Sequence, residues 1–121
     1  MRNFFFRLLV VLNLIAPQPA ISEDLALIVF EAKNCFSCIK WQEEIGLIYN
    51  KTEIGTLAPM QKKNIHDSES TELNLARGIV FTPTFILAKG NSEIGRIVGY
   101  IGDFQFWSEL EKLIIRHKAI N

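Results

Sequence analysis

Glu31-Ala32-Lys33-Asn34-Cys35-Phe36-Ser37-Cys38 places a C-x-x-C between a short apolar run and an amphipathic stretch, and it holds both of the chain's 2 cysteines. The run before it, Leu25-Ala26-Leu27-Ile28-Val29-Phe30, is continuous and partly β-branched, the pattern of a strand buried on both faces. After it, Cys38, Trp41, Ile45, Ile48 and Tyr49 recur on one stripe of a helix, with Lys40, Gln42, Glu43 and Glu44 outside that stripe. The helix is therefore expected to begin at the motif. Cys35 then lies in the first turn, where backbone N–H groups lack intrahelical partners, and Cys38 lies one turn further on the core-facing side. The two sulfurs are unequal. A thiol at a helix N-terminus is biased toward thiolate by N–H donors and the positive end of the dipole, and Lys33 could add to that bias. Cys35 is the expected nucleophile, and Cys38 is placed to close a disulfide with it and displace whatever it has captured.

Other uses of the two cysteines stay open at this level. A structural disulfide between residues three apart closes a very small loop and gains little from chain entropy. A zinc site would need about four ligands, and only His66 and His117 could complete it. A soft-metal carrier also uses a C-x-x-C at a strand-to-helix turn. Position alone favours redox chemistry.

Arg2 and Arg7, the apolar run Leu8 to Ala16 and the small residues Ala20-Ile21-Ser22 read as an export signal, residues 1–22, cleaved after Ser22. The alternative is a retained anchor, since Phe4-Phe5-Phe6 lengthens the apolar stretch and Pro17 with Pro19 blurs the cleavage site. Residues 23–121 then form one small domain working outside the cytoplasm. The whole chain has 13 Lys and Arg against 13 Asp and Glu, and loss of Arg2 and Arg7 would leave it slightly acidic. Nucleic-acid binding therefore has no electrostatic support.

Beyond the first helix, Asn50 to Pro59 reads as a connection broken by Gly55 and Pro59. Met60 to Ile65 is a candidate second strand near an edge, carrying Lys62 and Lys63. Asp67 or Ser68 is positioned to cap a helix running to about Arg77, with Leu73 and Ala76 facing in and Gly78 ending it. That order predicts a parallel strand pair with a crossover. Ile79-Val80-Phe81-Thr82-Pro83-Thr84-Phe85-Ile86-Leu87-Ala88 is an apolar strand with a proline near its head, where a missing N–H costs no ladder bond and a cis peptide is a specific feature. Lys89-Gly90-Asn91-Ser92 is turn chemistry, and Glu93 to Gly99 pairs back as a hairpin strand. Asp103 is the expected cap of a last helix with Phe106, Trp107, Leu110, Leu113 and Ile114 on its inner side. There is no internal repeat and no low-complexity segment.

With these elements in place, the chain resembles the thioredoxin superfamily over the whole of its expected mature length. Cys35-Phe36-Ser37-Cys38 matches that family's redox motif, and Thr82-Pro83 matches the cis-proline loop that faces it. The resemblance implies an α/β thioredoxin fold in a single domain, with a central mixed four-stranded sheet flanked by helices in the order β-α-β-α-β-β-α. Within the superfamily the chain is most similar to exported SoxS-type thioredoxins of bacterial sulfur oxidation. The similarity rests on Phe30-Glu31, Cys38-Ile39-Lys40-Trp41-Gln42-Glu43-Glu44-Ile45, Ile65-His66-Asp67, Phe81-Thr82-Pro83-Thr84-Phe85, Gly95-Arg96-Ile97-Val98-Gly99-Tyr100 and Phe106-Trp107.

Departures from general thioredoxins bear on direction. Val29 stands where thioredoxins bury an acid, Phe36-Ser37 replaces Gly-Pro, and no histidine lies between the cysteines as it does in strong oxidants. The bias is toward a reductant. No length is spare for the insertion of periplasmic oxidases or the dimerisation domain of isomerases; a monomer is expected.

The resemblance implies a periplasmic protein that reduces a disulfide or mixed disulfide on a client protein, with no cofactor beyond the Cys35–Cys38 disulfide and no bound metal. Maintenance of a sulfur-oxidation carrier protein is the expected task, and a membrane thiol-electron donor is the expected source of reducing equivalents. A reductant for apocytochrome c cysteines and, from another class, a metal-binding or regulatory protein are the alternatives. Phe36, Thr82 and Pro83 are the expected substrate-binding residues, Thr82 and Pro83 offering backbone groups to a bound chain. The resemblance also implies that Pro83 keeps metals away from the thiols. Glu31 is a candidate for proton transfer at Cys38, against a solvated loop charge. Trp41 is expected in the core, Lys62 and Lys63 at a solvated edge, and His66 and His117 have no assigned role. Gly99-Tyr100-Ile101-Gly102-Asp103 faintly resembles the glutathione-binding turn of glutaredoxins but reads as a strand end and helix cap.

Overall fold

A computed structural model describes residues 24–120, so the expected leader and its cleavage boundary lie outside the described residues. Four strands form one sheet in the order β2-β1-β3-β4: β1 Leu25–Glu31, β2 Met60–Asn64, β3 Thr84–Lys89 and β4 Ser92–Val98. β1 runs parallel to β2, with Leu27 opposite Met60, and antiparallel to β3, with Phe30 opposite Thr84. β3 pairs antiparallel with β4, Thr84 opposite Val98. The two central strands are buried on both faces, as their unbroken apolar runs require. β2, with exposed Gln61 and Lys62, is an edge, as its composition predicts.

Leu27 and Val29 of β1, with Phe85 and Leu87 of β3, face one core together with Cys38, Trp41, Ile45, Tyr49, Phe106 and Leu110. Aromatic rings fill much of it: Trp41 stands edge-on to Phe85 at 5.4 Å, Phe85 edge-on to Phe106 at 4.9 Å, and Tyr49 stacks on Trp107 at 5.8 Å. Ile28, Phe30, Ile86 and Ala88 form a smaller cluster on the opposite face.

The helix after the motif begins where expected, as α1 Phe36–Trp41, but opens into a π-helical turn at Gln42–Gly46 and resumes as a 3-10 turn at Tyr49–Lys51. A wider turn uses more residues per revolution, so the stripe slips in phase. Tyr49 is buried as expected, whereas Ile48, also expected inside, is 49% exposed.

The segment read as a connection holds a short helix, α2 Glu53–Leu57. Thr52 caps it, accepting from Gly55 N at 3.0 Å while donating to Tyr49 O at 2.6 Å. Gly55 is required by proximity, because a Cβ there would lie 1.7 Å from the Tyr49 carbonyl oxygen. The Tyr49 hydroxyl donates to Ala58 O at 2.7 Å, tying the end of this segment back to the core.

The helix expected from Asp67 or Ser68 to Arg77 does not form. A 3-10 turn at Ile65–Asp67 is followed by irregular chain whose Asn74 bridges to Ser92 beside β4. Hydroxyl residues compete for the backbone here: Ser70 Oγ donates to Asp67 O at 3.3 Å and Leu73 N donates to Thr71 Oγ1 at 3.2 Å. The hairpin offers better partners, with Asn74 N on Asn91 O at 2.7 Å and Glu93 N on Asn74 O at 3.1 Å. The apolar period is accordingly two: Leu73 and Leu75 pack on the smaller cluster, and Ala76, expected inside, is exposed. β3 likewise starts at Thr84, leaving 79–83 as a loop.

A buried ion pair fastens this irregular segment. Arg96 donates to Glu93 at 2.6 and 2.7 Å, their side chains 7% and 4% exposed, and reaches Arg77 O at 2.8 Å and Gly78 O at 3.2 Å. Ala76 N donates to Glu93 at 3.0 Å. Burial of the Glu93 carboxyl works to raise its pKa, but the hydrogen bonds from Arg96 and Ala76 and the charges of Arg96 and Arg77 outweigh it and hold the group below its ordinary 4.5. A carboxyl held low when folded stabilises fully above its unfolded value, and that contribution is lost as pH falls through the lower folded one. Glu93→Gln is expected to lower unfolding stability by about 2 kcal/mol near neutral pH. The gap from wild type should close as pH drops below the ordinary carboxyl range; urea titrations showing a constant gap would contradict this.

The last helix, α3 Asp103–Ile120, buries Phe106, Leu110 and Ile114 against the main core. Its capping position falls one residue before the expected Asp103, because Gly102 O accepts from Phe106 N at 3.1 Å. Asp103 sits in the first turn, its carboxylate accepting from Phe104 N at 2.7 Å.

Candidate active site

β1 and β2 end, β3 begins and β4 ends on one rim of the sheet, and the chemistry-bearing residues gather there. Leaving β1, the chain turns through Asn34, whose φ of +57° is a left-handed conformation that asparagine tolerates. That turn delivers Cys35 to the capping position of α1. Cys35 and Cys38 are joined as a disulfide with Cα atoms 5.2 Å apart. Their surroundings differ as the helical spacing predicts. Cys38 is 2% exposed and packed in the core, whereas Cys35 is half-buried. Cys38 N points at Cys35 Sγ from 3.1 Å.

Thr82-Pro83 faces Cys35 from the head of β3. The peptide between them is cis, Thr82 Oγ1 donates to Cys35 Sγ at 3.3 Å, and Thr82 O lies 3.5 Å from the same sulfur. Pro83 is buried, and its carbonyl accepts from Gly99 N at 2.8 Å, which locks the loop to the end of β4. Phe36, between the cysteines, is 81% exposed. The structure thus brings Cys35, Cys38, Thr82 and Pro83 together, with Phe36 projecting beside them.

Glu31 is placed differently. As the last residue of β1 it is half-buried, and its Oε1 accepts from Trp41 Nε1 at 3.0 Å and Gln42 Nε2 at 2.5 Å. No hydrogen bond joins it to either cysteine among the described residues. It braces the strand end against the helix that carries the motif. Trp41 is fully buried, as expected, with Lys62 Nζ 5.6 Å from its ring centre. His66 is exposed and His117 buried, and neither joins the cysteines in a group of metal-binding side chains among the described residues.

Exposed apolar residues on the same rim were not legible in the sequence. Val80 and Phe81, read as strand, are 75% and 66% exposed on the loop before Thr82, and Ile101 is 74% exposed beyond β4. The one available signal was an apolar run longer than the six residues the buried strand needs. A polar link behind them was also not visible: Tyr100 donates to Glu44 at 3.0 Å, and Lys40 reaches both Glu44 at 3.9 Å and Ile101 O at 3.3 Å. Burial and the hydrogen bond to Glu44 push the Tyr100 phenol up.

Comparison with known proteins agrees with this arrangement. The family described as "Thioredoxin-like domain" matches residues 20–114. No curated protein matches the chain. Among solved structures, the periplasmic thioredoxin SoxS from Paracoccus pantotrophus, in its reduced form, is 42% identical, with a TM-score of 0.71 over 74% of this chain and 95% of that one. Malassezia sympodialis thioredoxin (Mala s 13) is 20% identical, with a TM-score of 0.54 over 75% of this chain and 76% of its own. The germline-specific thioredoxin Deadhead of Drosophila melanogaster is 21% identical, with a TM-score of 0.56 over 75% and 82%. These last two share the fold. With its mixed four-stranded sheet, its C-x-x-C disulfide and a family match over most of its length, the chain belongs to the thioredoxin-like family of thiol–disulfide oxidoreductases.

Proposed function

We propose that this protein is a periplasmic reductant that keeps a cysteine of a client protein usable, the client being a carrier protein of a sulfur-oxidising system. The observation that carries this is the inequality of the sulfurs under Thr82-Pro83: one half-exposed and held by N–H and O–H donors, the other buried directly behind it. Likeness to a periplasmic thioredoxin at 42% identity supports the compartment.

In the reduced protein, Cys38 N and the Thr82 hydroxyl stabilise a Cys35 thiolate. That thiolate attacks one sulfur of the client's disulfide, forming the Cys35–client bond and expelling the other sulfur as a thiolate, which takes up a proton. Cys38, as thiolate, then attacks Cys35 Sγ, closing the Cys35–Cys38 disulfide and releasing the client's second thiolate. The client gains two electrons, and a membrane thiol-electron donor restores the dithiol. Pro83 shapes the floor against which an extended client segment lies, with Thr82 and Phe36 at its sides. Val29, in place of a buried acid, leaves an apolar environment beneath Cys38. Glu31 acts as a brace through Trp41 and Gln42. The protein works as a monomer.

The test is the Cys38→Ala variant, expressed in its own host with the leader intact, followed by identification of whatever is disulfide-linked to Cys35. Without the resolving thiol the mixed disulfide should persist and hold a sulfur-carrier protein. Capture of an apocytochrome would move the reading to haem attachment. An empty trap, together with a tight stoichiometric zinc or copper complex of the reduced wild type, would replace it with metal carriage.

A further inference from the structure

The rim that carries the dithiol changes character along the sheet, and the strand order fixes the direction. From Cys35 toward β3 and β4 come Phe81 on the loop before Thr82 and then Ile101 beyond β4, both exposed. Toward β2 the rim is basic. There the ends of β1 and β2 border an open hollow of about 300 Å³ lined by Glu31, Ala32, Lys33, Lys62, Lys63 and Asn64. Glu31 is the hollow's one carboxylate, against three lysines, and one of its oxygens already accepts from Trp41 and Gln42. Among the described residues none of these lysines is ion-paired; Lys63 also borders the neighbouring hollow that holds Asp67 and Glu72, without pairing to either. Lys33 lies two residues before Cys35, so this unbalanced charge begins on the turn that leads into the motif.

The geometry points to a polypeptide client whose reducible cysteine has apolar residues on one side and carboxylates on the other. The carboxylates are received at the Lys33–Lys62–Lys63 hollow while the apolar side lies on Phe81 and Ile101. This rests on the proposed disulfide exchange and names the kind of segment it favours. Several lysines acting on an approaching acidic segment raise its encounter rate, and 1 M salt screens that effect within about 3 Å.

The test uses the reduced wild-type protein and synthetic peptides with one cysteine held as a mixed disulfide with 2-mercaptoethanol. The cysteine is flanked on one side by Leu-Phe and on the other by Glu-Glu or Gln-Gln, in both chain directions. In one chain direction, the Glu peptide should be reduced about tenfold faster than its Gln counterpart at low ionic strength. The ratio should fall to within about twofold of unity in 1 M salt. It should also collapse in Lys33→Gln/Lys62→Gln/Lys63→Gln, and be cut at least by half in Lys33→Gln/Lys63→Gln, which leaves Lys62 over Trp41. Equal rates for Glu and Gln peptides in both directions, or a preference that survives the triple substitution, would overturn the assignment. If no peptide is reduced at all, disulfide exchange itself fails and the charge preference falls with it.

Discussion

Replacing Cys35 by Ser is expected to abolish disulfide reduction: single-turnover reduction of insulin by the pre-reduced protein should fall by at least about 10³-fold. The hydroxyl that replaces the thiol stays protonated at neutral pH, so neither Cys38 N nor the Thr82 hydroxyl has a thiolate to stabilise. Cys38 cannot take over, because at 2% exposure a client sulfur cannot reach it. Cys38→Ser, in contrast, should keep the first attack and stop at a mixed disulfide, consuming one client per protein. The pair of variants separates the two steps. Turnover persisting in Cys35→Ser within about tenfold of wild type would overturn the assignment of Cys35 as nucleophile.

Trp41→Ala should cost about 3–5 kcal/mol of unfolding stability, the largest single loss expected from a core substitution near the site. The ring is fully buried, packs edge-on to Phe85 at 5.4 Å, and carries Lys62 at 5.6 Å over its face. Its Nε1–H also satisfies Glu31 at 3.0 Å, so truncation leaves a half-buried carboxylate with Gln42 alone on that oxygen. Trp41→Phe retains most of the ring volume but not the donor, and should lose about 1–2 kcal/mol. Urea unfolding of the oxidised forms reads both. Trp41→Ala is also expected to slow exchange, since the brace from Glu31 positions the helix that presents Cys35. A loss below about 1 kcal/mol for Trp41→Ala would show that the core closes over the gap.

The positions of both residues were legible in the sequence. Cys35 is set by a motif four residues long at a change of hydrophobic period, and Trp41 by its place on the helical stripe with Cys38 and Ile45. Strands β1 and β3 were legible because each is an unbroken apolar run, and the edge position of β2 because its run carries lysines. Pro83 at the head of β3 followed from the missing N–H. In each case the cause lies within a few residues of the effect.

What could not be read was decided by partners far along the chain. Ser68 to Arg77 has helix-compatible spacing and a capping residue, yet Asn74 and Ala76 bond instead to Asn91 and Glu93, and Arg96 holds the carbonyls of Arg77 and Gly78. Glu31 was placed near the cysteines by sequence distance, whereas ten and eleven residues on, Trp41 and Gln42 supply its donors. Phe81 looked like strand because it is apolar, and only the start of β3 at Thr84 turns it outward. By itself, then, the sequence determined the dithiol, the strands that aim it and the proline that faces it, because periodicity and residue chemistry act locally. Tertiary structure alone decided the irregular crossover, the brace of Glu31 and the apolar and basic halves of the rim, because those depend on hydrogen bonds and burial between residues that only the fold brings together.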